Sequence, residues 1–100
     1  MLFRSPQPAI NDLEALISKV ESDEFKSRIF LSLGEIYLSI NNSEYAYDNF
    51  DKGANLSKNR LLREEVYFQI AEISFQNTDF DKALDSYQKV LSNKIGRAHV

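Results

Sequence analysis

The chain has one hundred residues, about one small domain, and with only three glycines and two prolines among plentiful charge its composition favours helices over a turn-rich β fold. The absence of cysteine excludes a disulfide framework, a thiol nucleophile and a thiolate metal site, and no apolar run of about 18 residues or more exists to span a membrane. A net charge of −3 spread along the chain, with no basic stripe, argues against nucleic acid as the main ligand, because neutralising phosphate needs clustered Lys and Arg. The opening Met-Leu-Phe-Arg-Ser-Pro-Gln-Pro carries no secretory pattern, and a cysteine-free chain fits a reducing compartment, which favours the cytoplasm.

Residues 1–7 are expected to be a disordered lead-in. Pro8 suits the first turn of a helix, where its missing N–H costs nothing, and Ile10, Leu13, Leu16, Ile17 and Val20 then follow at helical spacing, predicting a helix from Pro8 to Val20. Ser22 or Asp23 should cap a second helix that buries Phe25, Ile29, Phe30, Leu33, Ile36, Tyr37 and Ile40. The turn Asn41-Asn42-Ser43 stops it, and Ser43 is expected to cap a third helix over residues 44–57. Asn59 opens a fourth, through Val66, Tyr67, Ile70 and Ile73 to about Gln76. After Asn77-Thr78-Asp79, Thr78 with Asp81 three residues on predicts a capping box for a fifth helix over residues 80–91. No strand pattern competes.

The chain repeats itself. A shift of 37 residues lays Phe30 on Tyr67, Leu33 on Ile70, Gly34 on Ala71, Ala46 on Ala83 and Phe50 on Tyr87. One hairpin has too little core to stand alone, and stacking hairpins makes a continuous apolar seam. The small residues mark where paired helices should come closest, with Gly34 and Ala46 as the expected close-approach pair. A larger side chain there would cost about 1–3 kcal/mol in overpacking.

These residues resemble the tetratricopeptide repeat (TPR) family over residues 22–91. Its first-helix pattern reads Phe30, Leu33-Gly34 and Tyr37, and again Tyr67, Ile70-Ala71 and Ser74; its second-helix pattern reads Asp79-Phe80-Asp81-Lys82-Ala83 and Tyr87, and in the earlier unit Ala46 and Phe50. The period departs from the family's 34 residues, which predicts a longer connection around residues 57–63; Lys58 stands where a proline often ends the second helix, and Gly53 and Val90 where Ala is usual. The resemblance implies an all-α, right-handed solenoid of five antiparallel helices within residues 8–92. Phe30, Leu33, Gly34, Tyr37, Ala46, Phe50, Tyr67, Ile70, Ala71, Ala83 and Tyr87 are then the repeat-packing positions.

The same resemblance implies a concave groove lined by first-helix residues left over from packing. Those are Arg28, Leu31, Glu35 and Leu38 in one unit and Glu65, Phe68, Glu72 and Phe75 in the next. Leu31, Glu35 and Leu38 share a helix face at i, i+4, i+7, and Phe68, Glu72 and Phe75 repeat it. Such a groove is apolar with a central pair of carboxylates and would suit a ligand with apolar anchors and a Lys or Arg between them; the alternative is that Phe68 and Phe75 pack between repeats and the glutamates are solvated. Family members that grip acidic chaperone tails place Lys and Asn where Leu31 and Glu35 stand, so the resemblance does not extend to that role.

Catalysis has little support. Glu64 and Glu65 point to different helix faces, no histidine lies inside the fold to serve a nucleophile, and neither a phosphate-cradling Gly-rich loop nor metal-ligand spacing occurs, so no cofactor is expected. Tyr45 and Tyr47 lie near the first turn, where an exposed ring is a contact point and otherwise plain surface or packing. The expected function is non-catalytic protein or peptide binding within a longer protein, with a regulatory sensor segment of a signalling or transcription protein as one alternative. Self-association through open solenoid ends is another, because Ala83, Leu84, Tyr87, Val90 and Leu91 lack a following helix to cover them.

Residues 93–100 are expected to be a tail. Ile95-Gly96-Arg97-Ala98-His99-Val100 match, in order, the translation of a widely used short-read sequencing adapter, ATC GGA AGA GCA CAC GTC. On that reading the frame departs from the natural one near Asn93, and the only histidine, His99, carries no chemistry.

Overall fold

A computed structural model describes residues 5–98 of the chain, and the side chains of residues 5–93. Five helices follow in order: α1 (Gln7–Ile17), α2 (Asp23–Ser39), α3 (Ser43–Leu56), α4 (Arg60–Gln76) and α5 (Phe80–Ala98). Among the described residues there is no strand. The helices pair as TPR-like hairpins, α2 with α3 and α4 with α5, and α1 packs on α2. The chain divides into two compact units, Met1–Leu56 and Ser57–Val100, one to each hairpin.

The 37-residue repeat is written into the helix boundaries. Ser22 caps α2 by accepting from the Phe25 N–H, and Asn59 caps α4 by accepting from the Leu62 N–H. Both hairpin turns are built alike. At the end of α2 the Asn42 N–H donates to the Tyr37 carbonyl and the Asn41 N–H to that of Leu38; at the end of α4 Asp79 donates to Ser74 and Thr78 to Phe75. This is a Schellman motif, in which one left-handed residue lets two N–H groups satisfy the last carbonyls of a helix. The left-handed residues are Asn41 (φ 61°) and Thr78 (φ 60°). The next residue then caps the following helix, with Asn42 Oδ1 accepting from the Tyr45 N–H and Asp79 Oδ1 from the Lys82 N–H.

Several expectations are corrected by this geometry. The cap of α3 is Asn42 rather than Ser43, and no Thr78–Asp81 capping box forms, because the left-handed Thr78 backbone is part of the preceding Schellman turn and its hydroxyl donates to the Asn77 carbonyl. Helix α1 stops at Ile17 instead of Val20, where the Ser18 hydroxyl and the Lys19 N–H turn back to the Ala15 and Leu16 carbonyls. Phe25 and Ile40, expected in the core, are exposed at the two ends of α2. Helix α5 continues to Ala98 rather than ending at Leu91, with no proline to interrupt it. The expected lead-in and adapter-like tail lie partly outside the described residues, at 1–4 and 99–100.

In the first unit Ile10, Ile29 and Leu33 form one core cluster, with Leu13, Ile17, Val20, Phe30, Ile36 and Tyr37 packed against it, and Ala46, Tyr47, Phe50 and Ala54 of α3 are buried too. The α2–α3 contact is tight. A Cβ on Gly34 would meet Phe50 Cδ1 at 2.6 Å, and one on Gly53 would meet Leu31 Cδ2 at 2.7 Å and the Ser27 carbonyl oxygen at 3.0 Å. The partner of Gly34 is therefore the Phe50 ring rather than Ala46, which is itself buried against the hairpin. The buried Ser27 hydroxyl donates to the Gly53 carbonyl at 2.6 Å, joining the helices where neither carries bulk. A second device recurs at the period: Lys52 sits 3.1 Å from Asp48 and 5.8 Å over the Phe30 ring, while Lys89 sits 3.7 Å from Asp85 and 5.2 Å over the Tyr67 ring.

Two outcomes test this account. Gly34→Ala should destabilise the protein by about 1–3 kcal/mol in urea unfolding, because the Phe50 ring is sealed at 1% exposure and cannot step aside. Thr78→Gly should stabilise it by about 1 kcal/mol, because a β-branched residue at positive φ is strained and glycine is not; an unchanged unfolding midpoint would count against strain at that turn.

Candidate interaction surface

The two hairpins share a backbone plan but differ where α2 meets α3 and α4 meets α5. Ser27, Gly53 and Ala54 close the first hairpin, and their counterparts one period on are Glu64, Val90 and Leu91. A glutamate and two branched residues cannot form the serine–carbonyl bond or nest as closely. The second hairpin instead carries a cleft of about 620 Å³ lined by Leu61, Glu64, Glu65, Phe68, Tyr87, Val90 and Leu91. Its apolar members stand open to solvent, with Leu61 65%, Phe68 49% and Leu91 57% exposed. Single exposed hydrophobics are ordinary, whereas several around one cleft make it a candidate contact surface.

Tyr87 organises one wall. Its ring meets Phe68 edge-to-face with centroids 6.0 Å apart, and its hydroxyl donates to Glu72 Oε2 at 2.7 Å. In the first hairpin the equivalent ring, Phe50, fills the space beside Gly34; here Ala71 adds a methyl group at that point and Tyr87 is only half-buried. The hydrogen bond to the Glu72 carboxylate is the main cause that raises the Tyr87 phenol above its ordinary pKa, followed by partial burial and the negative charge of Glu72. At the other end the Asn93 side-chain amide donates to the Arg60 carbonyl at 3.2 Å and to Glu64 Oε2 at 3.3 Å, tying α5 to the start of α4.

The groove candidates from the sequence are thereby separated. Glu65 and Phe68 line the cleft, and Glu72 borders it through Tyr87. Phe75 lies outside the cleft lining and packs edge-to-face on Phe80 across the turn, 5.6 Å between centroids. In the first unit Arg28 and Glu35 are exposed, Leu38 is half-buried, and Leu31 covers Gly53. Of the repeat-packing positions, Leu33, Gly34, Ala46, Phe50, Tyr67, Ile70, Ala71 and Ala83 are buried, while Phe30, Tyr37 and Tyr87 are half-buried. Ala83, expected to be uncovered, is sealed; Leu84 and Leu91 are exposed. Sequence reasoning did not place Leu61 and Glu64 on this surface, although Leu61-Glu65-Phe68 has the i, i+4, i+7 spacing that could have found Leu61.

Among the described residues no three His, Cys, Asp or Glu side chains converge so as to hold a metal ion, and no helix is long and apolar enough to cross a membrane.

The chain is similar to the Photosystem I assembly protein Ycf3 of Prochlorococcus marinus, 30% identical over 80 residues that take in 78% of this chain and 46% of that protein. It thus spans less than half the length of that relative. No protein-family model matches the chain, and no solved structure matches it.

The Tyr87–Glu72 bond has a titration signature. A phenol whose pKa is raised by folding contributes stability that is present below its ordinary value and is lost as pH rises through the folded value. In an alkaline titration followed by NMR of the tyrosine ring carbons, Glu72→Gln should lower the Tyr87 midpoint, since the charged acceptor is removed. An unchanged midpoint would mean that the bond does not hold the proton.

Proposed function

We propose that this chain is a non-catalytic scaffold of tetratricopeptide type that binds a protein or peptide. The observation that supports it is the open apolar cleft of the second hairpin, which Leu61, Phe68, Val90 and Leu91 line. Glu65 and Glu72 add negative charge at its edge, so the favoured ligand offers apolar anchors with a Lys or Arg between them. Because Glu72 already accepts from Tyr87, Glu65 is the carboxylate better placed to meet an incoming cation. The likeness to a protein named for assembling Photosystem I agrees with a role in holding other proteins during assembly, and we propose assembly as the class of task here.

A second reading rests on the same exposed residues. Leu61, Phe68, Leu84 and Leu91 could be covered by another copy of the chain. Sedimentation equilibrium separates the two: concentration-dependent dimers that vanish in Leu91→Ser would favour self-association through the cleft, and a monomer at micromolar concentration would count against it.

For the peptide reading, ligands selected from a displayed peptide library should be enriched in apolar–basic–apolar patterns. Phe68→Ser and Glu65→Lys should each weaken a selected peptide by about tenfold in calorimetry, the aromatic as a buried anchor and the glutamate by charge reversal. Retention of full affinity in both variants would remove the cleft as the binding site.

A further inference from the structure

The first unit holds a second concave feature of different chemistry. Where α1, α2 and α3 meet, a groove of about 180 Å³ is lined by Glu14 from α1, Phe30 and Tyr37 from α2, and Tyr45, Asp48 and Lys52 from α3. The Tyr37 and Tyr45 rings stand nearly perpendicular, 5.2 Å between centroids and 83° between planes, and form two walls of a corner. Tyr45 is 54% exposed, so the corner opens to solvent.

The repeat separates what the fold requires from what it does not. Phe30, Asp48 and Lys52 recur as Tyr67, Asp85 and Lys89 with the same ion pair and cation–ring contact, so they belong to the architecture of a hairpin. Tyr37 and Tyr45 do not recur. Their counterparts are Ser74, whose buried hydroxyl donates to the Ile70 carbonyl, and Lys82. A hairpin of this chain therefore closes without the two rings; Tyr37 also packs on the α1–α2 core, while Tyr45, exposed, is the ring that packing leaves unexplained.

Charge points the same way. The groove carries two carboxylates, Glu14 and Asp48, against one ammonium, Lys52, which lies on Asp48 at 3.1 Å. The exposed Glu14 carboxylate on the α1 side is open to a cation, next to aromatic faces that attract cations.

We propose that this groove receives an arginine side chain from a partner protein, its guanidinium stacked in the corner of Tyr37 and Tyr45 and paired with Glu14. Arginine fits better than lysine on two grounds. A guanidinium is planar and weakly hydrated, so it stacks on a ring while its remaining N–H groups reach a carboxylate, whereas an ammonium in an open groove keeps its water. The point-charge position on Asp48 is also already occupied by Lys52. The Tyr37 phenol titrates above its ordinary value, through burial first, then the charge of Glu14 and the proximity of Tyr45, as expected of a groove whose field is negative. This site lies within the first unit and the apolar cleft within the second, so either can fail without the other.

The test is an NMR titration of the full chain with the capped tripeptide Gly-Arg-Gly and with its citrulline and lysine counterparts. Citrulline keeps the shape of arginine without its charge. The arginine peptide should give saturable shifts centred on the Tyr37 and Tyr45 ring signals, with affinity about five- to tenfold above either counterpart. Tyr45→Ala, at an exposed position, and the isosteric Glu14→Gln should each reduce that affinity at least about threefold while the rest of the spectrum is retained. Equal responses to arginine and citrulline, equal responses to arginine and lysine, or shifts that persist undiminished in both variants would overturn the proposal.

Discussion

The structure depends on how closely two helices of a hairpin can approach. In the first unit that approach is set by absences: no side chain at Gly34, so that the Phe50 ring lies against the α2 backbone, and none at Gly53, so that Leu31 and the Ser27 carbonyl do the same from the other side. The Ser27 hydroxyl then spans the gap to the Gly53 carbonyl, which gives a buried donor a partner and holds the helices at that separation. Tight packing and a satisfied polar group are here the same event.

Relaxing that constraint accompanies the cleft in the second unit. Glu64 and Val90 stand where Ser27 and Gly53 stood, the interhelical serine bond is lost, and Tyr87 stays half-buried beside Ala71 with its hydroxyl on Glu72. Space between α4 and α5 that the first hairpin fills with its own atoms is left as a cleft with apolar walls. One backbone plan thus supports a closed hairpin and an open one, and the difference comes from a few side chains along one seam. The turns are indifferent to it: the Schellman geometry and the Asn42 and Asp79 caps are the same in both.

The period also helps to sort residues by role. Positions that keep their contacts after 37 residues, such as the Lys52–Asp48–Phe30 and Lys89–Asp85–Tyr67 trios, are explained by the hairpin itself. Positions that break the pattern, Tyr37 and Tyr45 in one unit and Glu64, Val90 and Leu91 in the other, line the tyrosine groove and the apolar cleft described above. An internal repeat thereby supplies its own reference state, because each unit shows what the other could have been.

The sequence by itself determined the helical class, the number of helices, the repeat and most of the buried set, because 3.6-residue periodicity, polar caps and a lack of turn residues are local properties. Asn59 was legible as a cap for that reason, and Ser22 as one of two candidates with Asp23. Only the tertiary structure decided how the turns close, since a left-handed Thr78 is identified by the carbonyls it satisfies and its residue type argues against it. It likewise decided that Gly34 answers to Phe50 and not to Ala46, that Leu31 covers Gly53, and that Phe68 and Glu65 share a cleft while Phe75 turns to Phe80. Those outcomes depend on which side chain of a facing helix arrives first at a given space, and spacing along one helix cannot report that.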